Sequence, residues 1–140
     1  MTPFQHLLAK SSIKREPEYY ATLLGHLQIV HAAAESVLAK CGASMLNAFG
    51  FPIEELPRLT KIVTLAAATH DIGKANDHFL GMLCRDSSRA DYDYRQALRH
   101  EWVSWWWLHI PEIQNWARSF LDSPDDLSFV LCAIAGHHPS

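Results

Sequence analysis

A histidine stands directly beside an aspartate at His70 and Asp71, inside the stretch AATHDIGKAND of residues 67–77, with Gly73 and Lys74 close behind. An imidazole nitrogen next to a carboxylate oxygen is the ligand mixture that suits divalent transition metals. The placement needs a cation. The apolar run before it reads as a helix, and an aspartate at a helix C-terminus meets the negative pole of the backbone dipole, at a cost of a few tenths of a kcal/mol. Something positive is therefore expected beside Asp71, and a metal ion is one candidate. The chain carries nine histidines, so further nitrogen ligands are at hand if the fold gathers them.

The elements that must do the gathering read as helices separated by turns. Pro17 suits a first helical turn, and Leu23, Leu27, Val30, Ala34, Val37 and Leu38 follow at helical spacing until Gly42 offers a stop. A short segment from Met45 to Phe49 and a turn at Gly50 and Pro52 come next. From about Arg58, LTKIVTLAAATHD is apolar on nearly every side and ends before Gly73, as a central helix would. NDHFLGMLC is expected as a helix capped by Asn76 or Asp77, and RDSSRADYDYRQ as an exposed loop. LRHEWVSWWWLH returns to helix, Pro111 opens another, and SPDDLSFVLCAIAG suggests a helix capped at Ser123 and stopped at Gly136. No alternating strand pattern or repeat is present, so the expected fold class is all-α.

On this framework His26 lies among Leu23, Leu27 and Val30 on the inner side of the first long helix, where an unpartnered imidazole is costly. His70 and Asp71 end the central helix, His100 opens the tryptophan-rich one, and His137 with His138 follow the last. If the helices form one bundle, these ends can converge on one pocket. Blander readings stay open: a satisfied core histidine at His26, a pairing of His100 with Glu101, a solvated turn at His137 and His138, and dipole compensation at Lys74. His6, His31, His78 and His109 fit no ligand position. His31 lies about 140° round the helix from His26, too far to share a centre.

Composition bounds the rest. The 140 residues, 49% of them apolar, suit one domain with a real core. Neither a signal peptide nor a membrane span is visible, which suggests a cytoplasmic protein with no membrane partner. Cys41, Cys84 and Cys132 form no CxxC pair and read as reduced, mostly packed thiols. A formal charge of −3 argues against a freestanding nucleic-acid binder with a broad basic face. Arg85, Arg89 and Arg95 are the nearest candidate phosphate contacts. Trp102, Trp105 and Trp106 could stack bases but are expected in the core, with Trp107 pointing away.

His26, the HDIGK of residues 70–74, the RHE of residues 99–101 with Ser104, and the GHH of residues 136–138 together resemble the HD superfamily of metal-dependent phosphohydrolases. They are most similar to the HD nuclease domain of type I CRISPR interference, which is fused to or paired with a DNA helicase. That resemblance implies an HD-domain helical bundle around a metal site. It implies that His26, His70 and Asp71 hold one divalent ion, with Asp71 bridging to a second held by His100, His137 and His138. His70, Asp71 and Lys74 would then be catalytic, Lys74 neutralising a phosphate oxygen.

Manganese, nickel, cobalt, iron or magnesium would serve, one or two ions per chain. Single-stranded DNA, a helicase domain or subunit and an RNA-guided surveillance complex are the implied partners, in defence against foreign DNA. The alternative is an HD phosphohydrolase acting on nucleotides or other small phosphate esters. The family also supplies an aspartate well downstream of the double histidine, so residues 1–140 are expected to lack the C-terminal part of that domain and to bind the first ion weakly. Asp77, Asp91 and Asp93 are acidic neighbours, but none matches the family position.

Overall fold

The computed structural model describes residues 7–10, 18–84 and 98–138. Among these, the fold is all-α. Helix α1 spans Leu23–Ala48, α2 Leu56–Thr69, α3 Asp77–Cys84, α4 His100–Trp107, α5 Pro111–Arg118 and α6 Asp126–Gly136. Short 3-10 turns cover Tyr19–Ala21, Ile53–Glu55 and Ile72–Lys74. The expected loop, with Arg85, Arg89, Arg95, Asp91 and Asp93, falls outside the described residues, as do Pro17 and His6.

Helix α2 is central, packing against α1 on one side and α6 on the other. Its Leu65 and Ala66 join Leu108, Ala117, Leu127, Val130 and Ile134 in the buried core. The Arg58 side chain of α2 donates from Nε and Nη2 to one oxygen of Asp126, at 2.9 and 2.6 Å, and so ties α2 to the start of α6. The carboxylate of Asp126 is fully buried.

Several helix limits differ from those the sequence suggests, and packing explains each. Helix α1 runs through Gly42 to Ala48, absorbing the segment expected to stand apart. Gly42 is a contact point, because a Cβ there would lie 2.5 Å from Leu56 Cδ1 on α2. The turn does come at Gly50, whose φ of +75° only glycine adopts easily. Gly73 plays the same part as Gly42: an added Cβ would meet the His100 carbonyl oxygen at 2.1 Å and the Ser104 nitrogen at 2.5 Å. It lets α4 press onto the turn that carries Asp71.

Ser123 stands in the turn before α6, its Oγ accepting from the Asp125 N–H at 3.3 Å. The helix begins at Asp126, whose Oδ2 accepts from the Ser123 backbone N–H at 3.1 Å. Helix α6 does end at Gly136. The tryptophans are a clearer correction. Only Trp105 packs against the core, while Trp102 and Trp106 are about half exposed. The face of α4 pressed inward is built from His100, Glu101, Val103 and Ser104 instead, since a close approach to Gly73 admits no indole. Cys41 and Cys132 are exposed, not packed.

Candidate metal centre

Four helix ends meet at Asp71. Thr22 caps α1 by accepting from the Gly25 N–H at 3.0 Å, which sets His26 in the first turn. His70 is the C-cap of α2, His100 is the first residue of α4, and His137 is the C-cap of α6. The positive ends of α1 and α4 thus lie across from the negative ends of α2 and α6, and only the first two favour an anion buried between them.

Asp71 is 1% exposed and shares its two oxygens between separate sets of partners. Its Oδ2 lies 2.9 Å from His26 Nε2, 3.2 Å from His70 Nε2 and 2.6 Å from Lys74 Nζ. Its Oδ1 lies 3.0 Å from His100 Nε2 and 3.3 Å from His137 Nε2. The His138 ring stands 4.3 Å from that of His137 and 5.0 Å from that of His100. Burial alone would raise the Asp71 carboxyl, but hydrogen bonds from His100, His70 and Lys74 outweigh it and hold the group far below the usual carboxylate range. Burial pushes His26 down against the pull of Asp71, and burial with the neighbouring His137 pushes His138 down. Both rings are thereby kept in the neutral form that ligates metals.

The donor set fits a cation. His70 Nδ1 donates to the Ala67 carbonyl at 2.8 Å and His137 Nδ1 to the Ile134 carbonyl at 2.6 Å. A ring held in that way faces the carboxylate with its Nε2, the atom that would ligate a cation taking the place of the shared proton. The nitrogen-to-oxygen separations of 2.9 to 3.3 Å are also of the size expected between adjacent ligands on one ion with bonds of about 2.1 Å. Two groups able to hold a metal result: His26, His70 and Asp71, and Asp71, His100, His137 and His138. The backbone carbonyls that fix the rings are the outer partners such ligands commonly have.

All six side chains put forward as ligands from the sequence are therefore brought together, with Lys74 beside them. Asp77 is exposed at the start of α3 and belongs to neither group. Asn76 caps α3 by accepting from the Phe79 N–H at 2.9 Å. That helix supplies Phe79, a buried wall 5.6 Å from the His100 ring and 5.4 Å from Lys74 Nζ. Ser104 accepts the buried Gly73 N–H at 2.8 Å, locking α4 to the turn after Asp71. His31 pairs with Glu35 at 3.6 Å, and His109 donates to the Trp105 carbonyl at 2.8 Å, each away from the centre. Arg99 and Glu101 flank His100 in the sequence and contact the centre's supports. Their adjacency to it was the available signal, but nothing in the sequence shows that Arg99 reaches His138.

Fold and site define a class: an α-helical protein whose helix ends gather histidines round one buried aspartate in a centre able to take divalent metal. The family described as Cas3, HD domain matches residues 8–139, and the chain belongs to that family. An inferred CRISPR-associated nuclease/helicase Cas3 of Myxococcus xanthus (strain DK1622) is 40% identical over 137 residues, which is 96% of this chain and 17% of the relative's length. No solved structure matches the chain. No helix among the described residues is long and apolar enough to cross a membrane.

Proposed function

We propose that the chain is a metal-dependent nuclease module that hydrolyses phosphodiester bonds of single-stranded DNA in CRISPR interference, with a helicase domain or subunit delivering the strand and an RNA-guided surveillance complex selecting the target. The observation that carries this reading is the division of Asp71: one oxygen faces His26 and His70, the other His100 and His137. A carboxylate so divided suits two ions, with His26 and His70 on the first and His100, His137 and His138 on the second. Divalent metal held there would supply a water-derived nucleophile at neutral pH and charge to stabilise the leaving oxygen.

The protein's own groups orient that chemistry. Ala67 and Ile134 carbonyls aim His70 and His137, and Phe79 excludes water from one side of His100. Lys74, 12% exposed and 2.6 Å from Asp71, is near enough to exchange that carboxylate for a phosphate oxygen of the substrate. Cas3 family membership and the relative's name, nuclease/helicase, support a strand substrate over a small phosphate ester.

The test is a side-by-side assay of the metal-replete chain on single-stranded DNA, duplex DNA, deoxynucleoside triphosphates and cyclic nucleotides. The expected result is manganese- or nickel-stimulated cutting of single strands with little sequence preference, much less cutting of duplex, and activity that falls as salt rises. Efficient turnover of a small nucleotide with the strand left intact would replace the nuclease with a nucleotide phosphohydrolase.

A further inference from the structure

We infer that Arg99 is a positioning residue for the second metal group, a clamp that holds His138 and His100 in register across two helices. The inference rests on the metal-centre reading above and adds to it a residue that touches no proposed ion.

His100 and His138 come from opposite ends of the chain's last part, one opening α4 and the other two residues beyond the end of α6. Arg99 connects them. Its Nη2 donates to the His138 carbonyl oxygen at 3.0 Å. Its Nε forms an ion pair with Oε1 of Glu101, a side chain only 2% exposed. The other Glu101 oxygen stands 3.6 Å from His100 Nδ1, and His100 Nε2 lies 3.0 Å from Asp71. The path therefore runs from the His138 backbone through Arg99 to Glu101, which lies beside the His100 ring without hydrogen-bonding it, and from that ring to Asp71.

A guanidinium is a rigid plane, so one paired with Glu101 at Nε and bonded to the His138 carbonyl through Nη2 is held at both ends. That geometry sets where the His138 backbone can lie and hence where its ring meets those of His100 and His137. Arg99 also has the right exposure for a clamp. Its side chain is 45% exposed, whereas Glu101 is buried, so removing the guanidinium leaves a surface gap and not a core cavity. The first group, His26 with His70, receives nothing from this path.

The experiment is Mn(II) titration of the metal-free full chain, followed by calorimetry and electron paramagnetic resonance, on wild type, Arg99→Gln, Arg99→Lys and His100→Ala. In Arg99→Gln the affinity of the second group should fall about 10- to 100-fold, the loss that outer partners of metal ligands bring. The first group should keep its affinity, while the thermal midpoint of the metal-free protein falls because Glu101 is left buried without its guanidinium. Arg99→Lys should recover little, because an ammonium on a flexible stem cannot hold both partners in one plane. Equal second-group affinity in Arg99→Gln and wild type, with His100→Ala emptied of that ion, would overturn the clamp and leave the centre standing. Unchanged binding in His100→Ala would overturn the two-ion centre and the clamp together. An equal fall of both affinities in Arg99→Gln would show a general loosening of the fold and reject the clamp.

Discussion

Among the described residues two aspartates are almost wholly buried, and their surroundings differ in kind. Asp126 holds α6 against α2 through two hydrogen bonds from one guanidinium to Oδ1 and a backbone N–H to Oδ2. Arg58 carries a charge that never titrates in the working range, and its remaining Nη1 is taken by Glu55 Oε2 at 3.2 Å. Asp71 is met instead by four imidazoles and an ammonium, more partners than one carboxylate can satisfy at once. Its partners are ones that can let go. A carboxylate built for stability is given one permanent cation, and one built for chemistry is given exchangeable donors.

The largest effect should come from breaking the second arrangement. Asp71→Asn removes the anion that both groups share, so both ions should be lost. Strand cleavage should fall by more than the roughly 10²- to 10³-fold that deleting one transition-state donor costs. The helices should survive, because the side chain serves the centre and not the core. Elemental analysis with circular dichroism checks this; retention of both ions in Asp71→Asn would remove the bridging role.

Breaking the first arrangement should act on stability instead. Arg58→Ala strands the Asp126 carboxylate in the interior, and an unpaired buried charge is strongly destabilising. The thermal midpoint at pH 7 should drop by several degrees with metal affinity unchanged. Hydrogen bonds from Arg58 hold the Asp126 carboxyl below its ordinary value. Its contribution is therefore complete above the unfolded carboxyl value of about 3.9 and is lost as pH falls through the lower folded one. The difference in midpoint between wild type and Arg58→Ala should close in acid, below about pH 4. A gap that stays constant from pH 7 to pH 3 would assign the loss to something other than this pair.

The contrast also separates what the sequence reveals from what it hides. Ligand-capable residues at helix ends were legible, because side-chain type and helical period together say what can reach a common point. The cation expected beside Asp71 is present as Lys74 for the same reason. Features set by contact between distant segments were not legible. Gly42 and Gly73 look like helix stops in sequence and prove to be places where another helix comes close. The indoles of Trp102 and Trp106 look like core by period, yet α4 turns inward the side that must fit against Gly73. Ser123 resembles a cap and does accept the Asp125 N–H, but that Asp126 is also bound by an arginine on another helix was not visible. In each case a tertiary partner, absent from the local pattern, decided the outcome.

The smallest effect sharpens the comparison by asking whether any histidine on α1 would serve. His31 shares a helix with His26 and lies one and a half turns further on, but the helical period of 100° per residue rotates it about 140° away from Asp71. It pairs instead with Glu35 at 3.6 Å, where both side chains are well exposed, 39% and 59%. An exposed pair of this kind is worth little. His31→Ala should therefore leave the stoichiometry and affinity of both ions as in wild type and change stability by no more than about 0.5 kcal/mol. His26→Ala should weaken the first ion while the second stays bound. The measurement is parallel Mn(II) titration of the two variants. Equal losses from both would mean that α1 supplies the centre through its overall position, not through the Nε2 of His26 that stands 2.9 Å from the shared carboxylate.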